Sequence, residues 1–200
     1  MNFLAHIYLS PPHEDAQLGS LLGDFVKGPI DGSEISSRYG EEVKRAIALH
    51  RRIDSYTDAH PAVVASRNRI STNRRRFAGV MVDMFYDHFL ARNWSEFHDA
   101  PLQRFTGDFY EILLRRHAEL PDRLQRIAQS MAQRDWLGSY AHVEAVDTAL
   151  NRMSLRLRRR DNALLDSAEE LVEKYTALEN DFRCFMPDVR TFARQHGNPP

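Results

Sequence analysis

The stretch Phe77–Trp94, FAGVMVDMFYDHFLARNW, is apolar nearly all the way round a helical wheel, which is typical of a helix buried in a protein core. It nevertheless carries Asp83, Asp87 and His88. A carboxylate costs several kcal/mol to remove from water unless it is paired with a cation or bound to a metal. The stretch therefore predicts a core helix and requires a reason for the acids that it holds.

Helical periodicity extends through most of the 200 residues, whereas alternating β-branched runs typical of strands are almost absent. We therefore predict an all-α fold: a single compact helical domain of seven to nine helices over residues 1–194, followed by a flexible polar tail at residues 195–200. The predicted helices are Gln17–Lys27, Glu41–Thr57, Phe77–Trp94, Leu102–His117, Leu120–Arg134, Tyr140–Arg158 and Ala163–Cys184. Short linkers are predicted at Asp31–Ser37, Asn93–Pro101 and Gly138–Ser139.

Charge and cysteine content narrow the class of protein. The net charge is −1, so the chain as a whole has no electrostatic attraction for nucleic acid or a membrane surface. The single cysteine, Cys184, excludes an internal disulfide and suits a reducing compartment. No apolar run approaches the roughly 20 residues that span a bilayer, and the first residues lack the features of a secretory leader. We expect a soluble, cytoplasmic protein that binds neither nucleic acid nor membrane.

The helix predicted at Glu41–Thr57 also places polar ligands on an apolar face. At 100° per residue, His50 and Asp54 fall in the middle of the stripe formed by Val43, Ala46, Ile47 and Ile53. They are four residues apart and therefore neighbours on that face, and Asp58 lies one turn further on. This segment is expected to direct nitrogen and oxygen ligands inward.

Two further apolar segments each bring a ligand-type residue: Asp24 in LLGDFVKG, and His6 in FLAHIYL. Each residue has an ordinary interpretation when taken alone, such as a hydrogen-bonded core histidine, an ion-pair partner or, for Asp58 before His60-Pro61, a turn residue. Taken together they would need many buried partners at once, and one divalent metal satisfies several of them. A carboxylate-rich set without thiolates favours Mn²⁺ or Mg²⁺, with Fe²⁺ as the alternative.

A metal inside such a domain suggests hydrolysis, because it can activate water and neutralise a phosphoryl oxygen. Arginine suits bidentate contact with phosphate. The arginines that follow or separate the ligand segments are Arg51, Arg52, Arg67, Arg69, Arg74, Arg75 and Arg76. The alternative for the run Arg74–Arg76 is a solvated helix end.

Four segments resemble the acyl carrier protein phosphodiesterase family. They are MNFLAHIYLS, LLGDFVKG, LHRRIDSYTDAHP and GVMVDMFYDHFLARNW, which together extend over residues 1–94. The family is similar to the all-helical HD-domain metal phosphohydrolases in a divergent form. An adjacent His-Asp pair does not occur in these segments, and Asp87-His88 has the opposite order.

The resemblance implies removal of 4′-phosphopantetheine from the serine of holo-acyl carrier protein with Mn²⁺ or a similar ion. It implies that the catalytic and metal-binding set is Asp24, His50, Asp54, Asp83, Asp87 and His88. His6, Asp58 and His60 would have supporting or acid–base roles, and Arg51 and Arg67 would contact phosphate. Acyl carrier proteins are acidic, so a basic rim would guide docking. The candidates are Arg74, Arg75 and Arg76, or Arg156, Arg158, Arg159 and Arg160.

Two alternatives remain open on the sequence alone. One is an HD-type phosphohydrolase acting on nucleotides or cyclic nucleotides, and the other is a non-catalytic helical module that binds an acidic protein. A di-iron bundle is disfavoured because a Glu-x-x-His pair is not present. The pattern makes no prediction of oligomeric state, of the number of metal ions or of acyl-chain preference.

Overall fold

A computed structural model describes residues 1–156 and 163–197, and within them it contains α-helices and no strand. The all-α prediction is therefore confirmed. The helices are α1 Phe3–Leu9, α2 Glu14–Leu22, α3 Ser33–Ser36, α4 Glu41–Ala59, α5 Pro61–Arg69, α6 Ala78–Arg92, α7 Leu102–Arg115, α8 Asp122–Gln133, α9 Trp136–Ser139, α10 Val143–Arg156, α11 Glu169–Glu173 and α12 Tyr175–Gly197. None of these helices is long and apolar enough to cross a membrane.

The number of helices is higher than the predicted seven to nine. The difference comes from α3, α9 and α11, each of four or five residues. The first two fall in or beside segments predicted as linkers. A single turn of helix has almost no periodicity to detect, so such elements are invisible to a pattern search.

Helix α6 is buried in the core, as the opening stretch predicted. It packs against α1, α5, α10 and α12, and its side chains from Met84 to Ala91 are all buried. Helices α1 and α4 are also buried on their inward faces, where His6 and His50 are at most 1% exposed. The helices that carry the predicted ligands therefore all contribute to the core.

Helices α2 and α4 form an especially close pair because of Gly19. A Cβ at Gly19 would lie 2.6 Å from Cβ of Ala46 and 2.6 Å from the carbonyl oxygen of Val43. The absence of a side chain lets the two backbones touch at this point. This contact fixes the end of α2 beside the inward face of α4.

Helix α2 ends at Leu22, and the prediction that it continues to Lys27 is wrong. The amides of Phe25 and Val26 both donate to the carbonyl of Leu22, which closes a turn. Arg51 then donates to the carbonyls of Val26, at 3.3 Å, and Gly28, at 2.7 Å, and holds the following loop against α4. Asp24 consequently lies in a turn after the helix and not on it.

The predicted helix Ala163–Cys184 is also wrong at both ends. Residues 163–168 form turns, α11 is separate, and α12 runs from Tyr175 to Gly197 through Pro187. Packing against α4, α5 and α6 buries Phe185, Met186 and Val189 on either side of that proline, which explains why the helix continues. Helix α12 thus enters the predicted tail, of which residues 198–200 lie outside the described part of the chain.

Candidate metal centre

Three predicted ligand-type residues meet where α1 crosses α4. The Nε2 atom of His6 lies 3.0 Å from Oδ1 of Asp54, and Nε2 of His50 lies 3.1 Å from Oδ2 of the same carboxylate. The two imidazole rings stack with centroids 3.7 Å apart. One ligand atom from each of the three residues lies within 4.8 Å of the others, which is the spacing of a shared metal site.

The hydrogen bond of His50 defines which of its nitrogens faces the centre. Nδ1 lies 2.8 Å from the carbonyl oxygen of Ser20, so this nitrogen must carry a proton and donate. In the neutral ring, Nε2 then presents a lone pair to Asp54 and, at 3.8 Å, to Oδ1 of Asp24. A lone pair beside carboxylate oxygens is repulsive unless the ring gains a second proton or a cation lies between them. Metal-bound histidines commonly donate their other N–H to a carbonyl in this way.

His6 is unusual because it is buried and incompletely satisfied. Its Nδ1 atom has no hydrogen-bond partner within the described residues. Burial lowers the pKa of His6 to about 3, with the neighbouring His50 and the α-amino group acting in the same direction. The ring is therefore neutral at physiological pH, which is the form that binds a metal.

Two more carboxylates and one cation complete the centre. The α-amino group of Met1 lies 3.3 Å from Oδ1 of Asp83 and 3.5 Å from Oδ1 of Asp54. Partial burial raises the pKa of Asp24. Burial acts to raise the pKa of Asp54 as well, but contacts with His50 and His6 outweigh it and hold that pKa below its usual value. The imidazoles of His6 and His50 and the carboxylate of Asp54, with two further carboxylates nearby, are donors that fit a divalent ion such as Mn²⁺.

Asp87 belongs to the same region but has a different immediate task. It is fully buried, and its two oxygens accept from the backbone amides of Leu4, at 2.8 Å, and Ala5, at 3.1 Å. These amides are in the first turn of α1, where they have no partner inside the helix. Burial raises the pKa of Asp87 to about 7, although the two amide hydrogen bonds act to lower it. Asp87 therefore fixes the start of the helix that carries His6.

The structure does not bring His88, Asp58 or His60 into the centre. His88 Nδ1 lies 2.8 Å from the carbonyl oxygen of Tyr140, and its Nε2 lies 3.0 Å from the hydroxyl of Tyr175. Asp58 accepts from Arg67 at the protein surface. His60 accepts from the amide of Ala62 through Nδ1 and faces Asp188 through Nε2. The geometry gives these three residues structural partners instead of a place among the ligands.

The predicted arginines are also mostly engaged within the protein. Arg51 holds the loop after α2, and Arg67 pairs with Asp58. Arg74 lies 3.8 Å from Glu169 and 4.0 Å from Glu170, Arg75 donates to Asn68, and Arg76 lies over the ring of Phe77. Two of the three members of the run Arg74–Arg76 thus have polar partners within the protein, and the role of this run as a basic rim stays a prediction. Of the second predicted rim, Arg158, Arg159 and Arg160 lie outside the described residues, as does the side chain of Arg156.

Gly23 is a site residue that the sequence argument missed, although it directly precedes Asp24. A Cβ at this position would lie 2.2 Å from Cγ of His50 and 2.7 Å from its Nδ1. The backbone has φ −50° and ψ −35°, which any residue adopts. The glycine is therefore required by the space that the His50 ring occupies and not by its backbone angles.

We expect Gly23→Ala to displace the His50 ring and break its bond to the Ser20 carbonyl. The free energy of unfolding should fall by about 1–3 kcal/mol, as for other overpacked sites, and metal affinity should fall at least about tenfold. Gly107→Ala is the matched control, because a Cβ there meets nothing within 4 Å. Thermal unfolding and metal titration of both variants test this. Unchanged metal affinity in Gly23→Ala would contradict the role assigned to the His50 position.

Comparison with known proteins places the chain among the phosphodiesterases. The family model described as acyl carrier protein phosphodiesterase matches residues 1–189. The acyl carrier protein phosphodiesterase of Pectobacterium atrosepticum is 34% identical over 195 residues, which cover 97% of this chain and 98% of the relative. The protein of the same name from Escherichia coli O6:H1 is 37% identical over 188 residues, or 94% of each chain. No solved structure matches.

The chain therefore belongs to the acyl carrier protein phosphodiesterase family, which confirms the resemblance found in its motifs. The match extends over nearly the whole chain, including the later helices that the motifs did not reach. The likeness to HD-domain enzymes stays a prediction.

Proposed function

We propose that this protein is a metal-dependent phosphodiester hydrolase that removes 4′-phosphopantetheine from holo-acyl carrier protein and leaves the apo-protein. The relatives named acyl carrier protein phosphodiesterase supply the substrate class. The observation that carries the metal-dependent chemistry is the contact of two buried imidazoles with the single carboxylate of Asp54. The lone Cys184 suits the reducing cytoplasm, where we place the reaction.

In this proposal His6, His50 and Asp54 hold the ion, with Asp24 and Asp83 completing its surroundings. A bound Mn²⁺ supplies Lewis acidity, which activates water and offsets charge on the phosphoryl group. The Ser20 carbonyl holds His50 in the tautomer with a proton on Nδ1, and Asp87 holds α1 so that His6 faces Asp54.

The direct experiment incubates holo-acyl carrier protein with the purified protein and reads the carrier protein by intact mass. Loss of the phosphopantetheine mass, with no change in an apo-carrier control, supports the proposal. The same incubation with nucleotides and cyclic nucleotides tests the alternative phosphohydrolase. Hydrolysis of nucleotides alone, or binding of the carrier without any turnover, would overturn the proposed reaction.

Removal of metal is the second test. Treatment with a chelator should lower turnover at least about tenfold, because the activated water and the charge compensation are both lost. Added Mn²⁺ should restore it, and calorimetric titration should show saturable binding to the metal-free protein. Full turnover in protein shown by elemental analysis to contain no metal would contradict a metal-dependent reaction.

A further inference from the structure

A groove of about 300 Å³ opens between α8, α9 and α10 and is also lined by Phe3 of α1 and Phe25 of the loop after α2. Its apolar surface comes from Phe3, Phe25, Ile127 and Met153. The rings of Phe3 and Phe25 pack with centroids 5.8 Å apart. The groove lies outside the cluster of imidazoles and carboxylates, and the reaction as described so far makes no use of it.

The part of the groove lined by Phe3 and Phe25 is linked to the candidate metal centre through the chain itself. Phe25 directly follows Asp24, and Phe3 lies one turn of α1 before His6. Tyr140 lines the groove, and its carbonyl oxygen accepts a hydrogen bond from Nδ1 of His88. The buried histidine therefore helps to hold the groove wall in place. A ligand whose reacting end occupies the centre could therefore extend its remaining length into the groove.

One polar group on the groove wall is unsatisfied. The indole Nε1–H of Trp136 is enclosed and has no hydrogen-bond partner within the described residues. An enclosed N–H without an acceptor is unfavourable. The Nε1 atom is not itself exposed to the groove, so a ligand that brings a carbonyl oxygen would satisfy this donor after the indole ring turns toward it. The wall thus suits a chain that is mainly apolar and contains amide groups.

The edge of the groove is basic. Arg123, Arg134 and Arg152 line it, all three are exposed, and none pairs with a carboxylate among the described side chains. Arg116 and Arg183, by contrast, each bind two or more carboxylates. Arg123 lies over the ring of Phe25, which leaves its charge unpaired, so three guanidinium groups without a carboxylate partner among the described side chains surround one opening and favour an anionic partner there.

We propose that this groove binds the pantetheine arm of the carrier protein, and that the indole ring of Trp136 turns so that its Nε1–H donates to an amide carbonyl of the arm. The phosphodiester then lies at the metal centre, and the acidic carrier protein meets the arginine edge. This inference rests on the proposed function and adds the site that selects the arm. It also replaces Arg74–Arg76 with Arg123, Arg134 and Arg152 as the docking rim.

The first test fills the groove. Ala149→Trp places a large ring on its lining, and Ala118→Trp, at an exposed position outside the groove, is the matched control. We expect kcat/KM for holo-acyl carrier protein to fall at least tenfold in Ala149→Trp only. Hydrolysis of bis(4-nitrophenyl) phosphate, which has no pantetheine arm, should stay unchanged in both variants. Equal loss on both substrates, or no loss on the carrier protein, would overturn the groove as the arm site.

The second test does not depend on catalysis. The chain has two tryptophans, and Trp94 donates to the carbonyl of Ala100 away from the groove. Titration of the metal-free protein with 4′-phosphopantetheine should change its tryptophan fluorescence with saturation, and Trp136→Phe should abolish this change. Turnover assays of the same variant give a further readout. Trp136→Phe should raise KM for holo-carrier protein about three- to tenfold, which is the effect of losing one hydrogen bond, and kcat should stay nearly unchanged.

The two proposals fail in different ways. Saturable binding of 4′-phosphopantetheine without release of the arm from holo-carrier protein would overturn the reaction and leave the groove supported. Normal release by both Ala149→Trp and Trp136→Phe, with no fluorescence change in the wild type, would overturn the groove and leave the reaction standing.

Discussion

Asp54→Asn is expected to lower turnover of holo-carrier protein by about 10³-fold or more and to abolish tight metal binding. Among the described carboxylates Asp54 alone contacts both imidazoles, with one oxygen 3.0 Å from His6 and the other 3.1 Å from His50. An amide of the same size keeps one neutral acceptor and turns an NH₂ group toward the other imidazole. Loss of a supporting partner of a metal ligand already costs 10–100-fold, so loss of a direct ligand should cost more.

The measurement combines turnover, metal titration and thermal unfolding of Asp54→Asn. Asp58→Asn is the matched control, since Asp58 lies one turn later on α4 and pairs with Arg67 at the surface. The control should retain metal affinity within about twofold, and its stability should change by less than 1 kcal/mol, the usual value of an exposed ion pair. Equal loss of metal affinity in the two variants would show that Asp54 is not a ligand and that only the charge of α4 matters.

The position of His50 and Asp54 could be predicted because it follows from one helix. The stripe of α4 is defined by its own apolar residues, and the structure buries it with His50 in the middle. A helical wheel contains all the information needed to decide that these two side chains share an inward face. The same reasoning identified α6 as a buried helix.

The separate contacts that Asp83, Asp87 and His88 make from α6 could not be predicted in this way. The wheel shows that Asp83, Asp87 and His88 lie on a largely apolar helix, but not which neighbour each one meets. In a helix buried on nearly every side, residues 100° apart face different partners. The structure turns Asp83 toward Met1, Asp87 toward the first turn of α1, and His88 toward Tyr140 and Tyr175.

Two other features depended on contacts between segments distant in sequence. The resemblance gives His6 only a supporting or acid–base role, whereas the structure places one of its ring nitrogens within 4.8 Å of ligand atoms of His50 and Asp54. Its own helix has only seven residues and therefore little periodicity from which this position could be predicted. The arginine run at Arg74–Arg76 resembled a free basic patch, whereas contacts with Glu169, Glu170 and Asn68 engage two of its three members. Sequence gives the charge of a side chain but not its partner.

The roles of Asp83 and Asp87 can be separated by stability. Asp87→Ala should lower the free energy of unfolding of the metal-free protein by about 2–5 kcal/mol at pH 5, because two buried amides of α1 lose their acceptor and a small cavity remains. Asp83→Ala removes a carboxylate that is 28% exposed and pairs with the buried α-amino group of Met1, which keeps Asp54 as a partner, so it should cost less than Asp87→Ala. Metal titration should show the larger loss of affinity in Asp83→Ala.

The pH dependence provides an independent test of Asp87, because the pKa of this carboxyl is raised from 3.8 to about 7 in the folded protein. Between these values the folded state binds the extra proton, so the stability contributed by this group is greatest below about pH 4 and falls as the pH rises to 7. The difference of about three pKa units corresponds to a loss of up to about 4 kcal/mol. The gap in unfolding free energy between wild type and Asp87→Ala should therefore narrow from pH 5 to pH 8. A gap that widens with pH would show that Asp87 is stabilised as an ion, and a variant as stable as wild type at pH 5 would remove its role in holding α1.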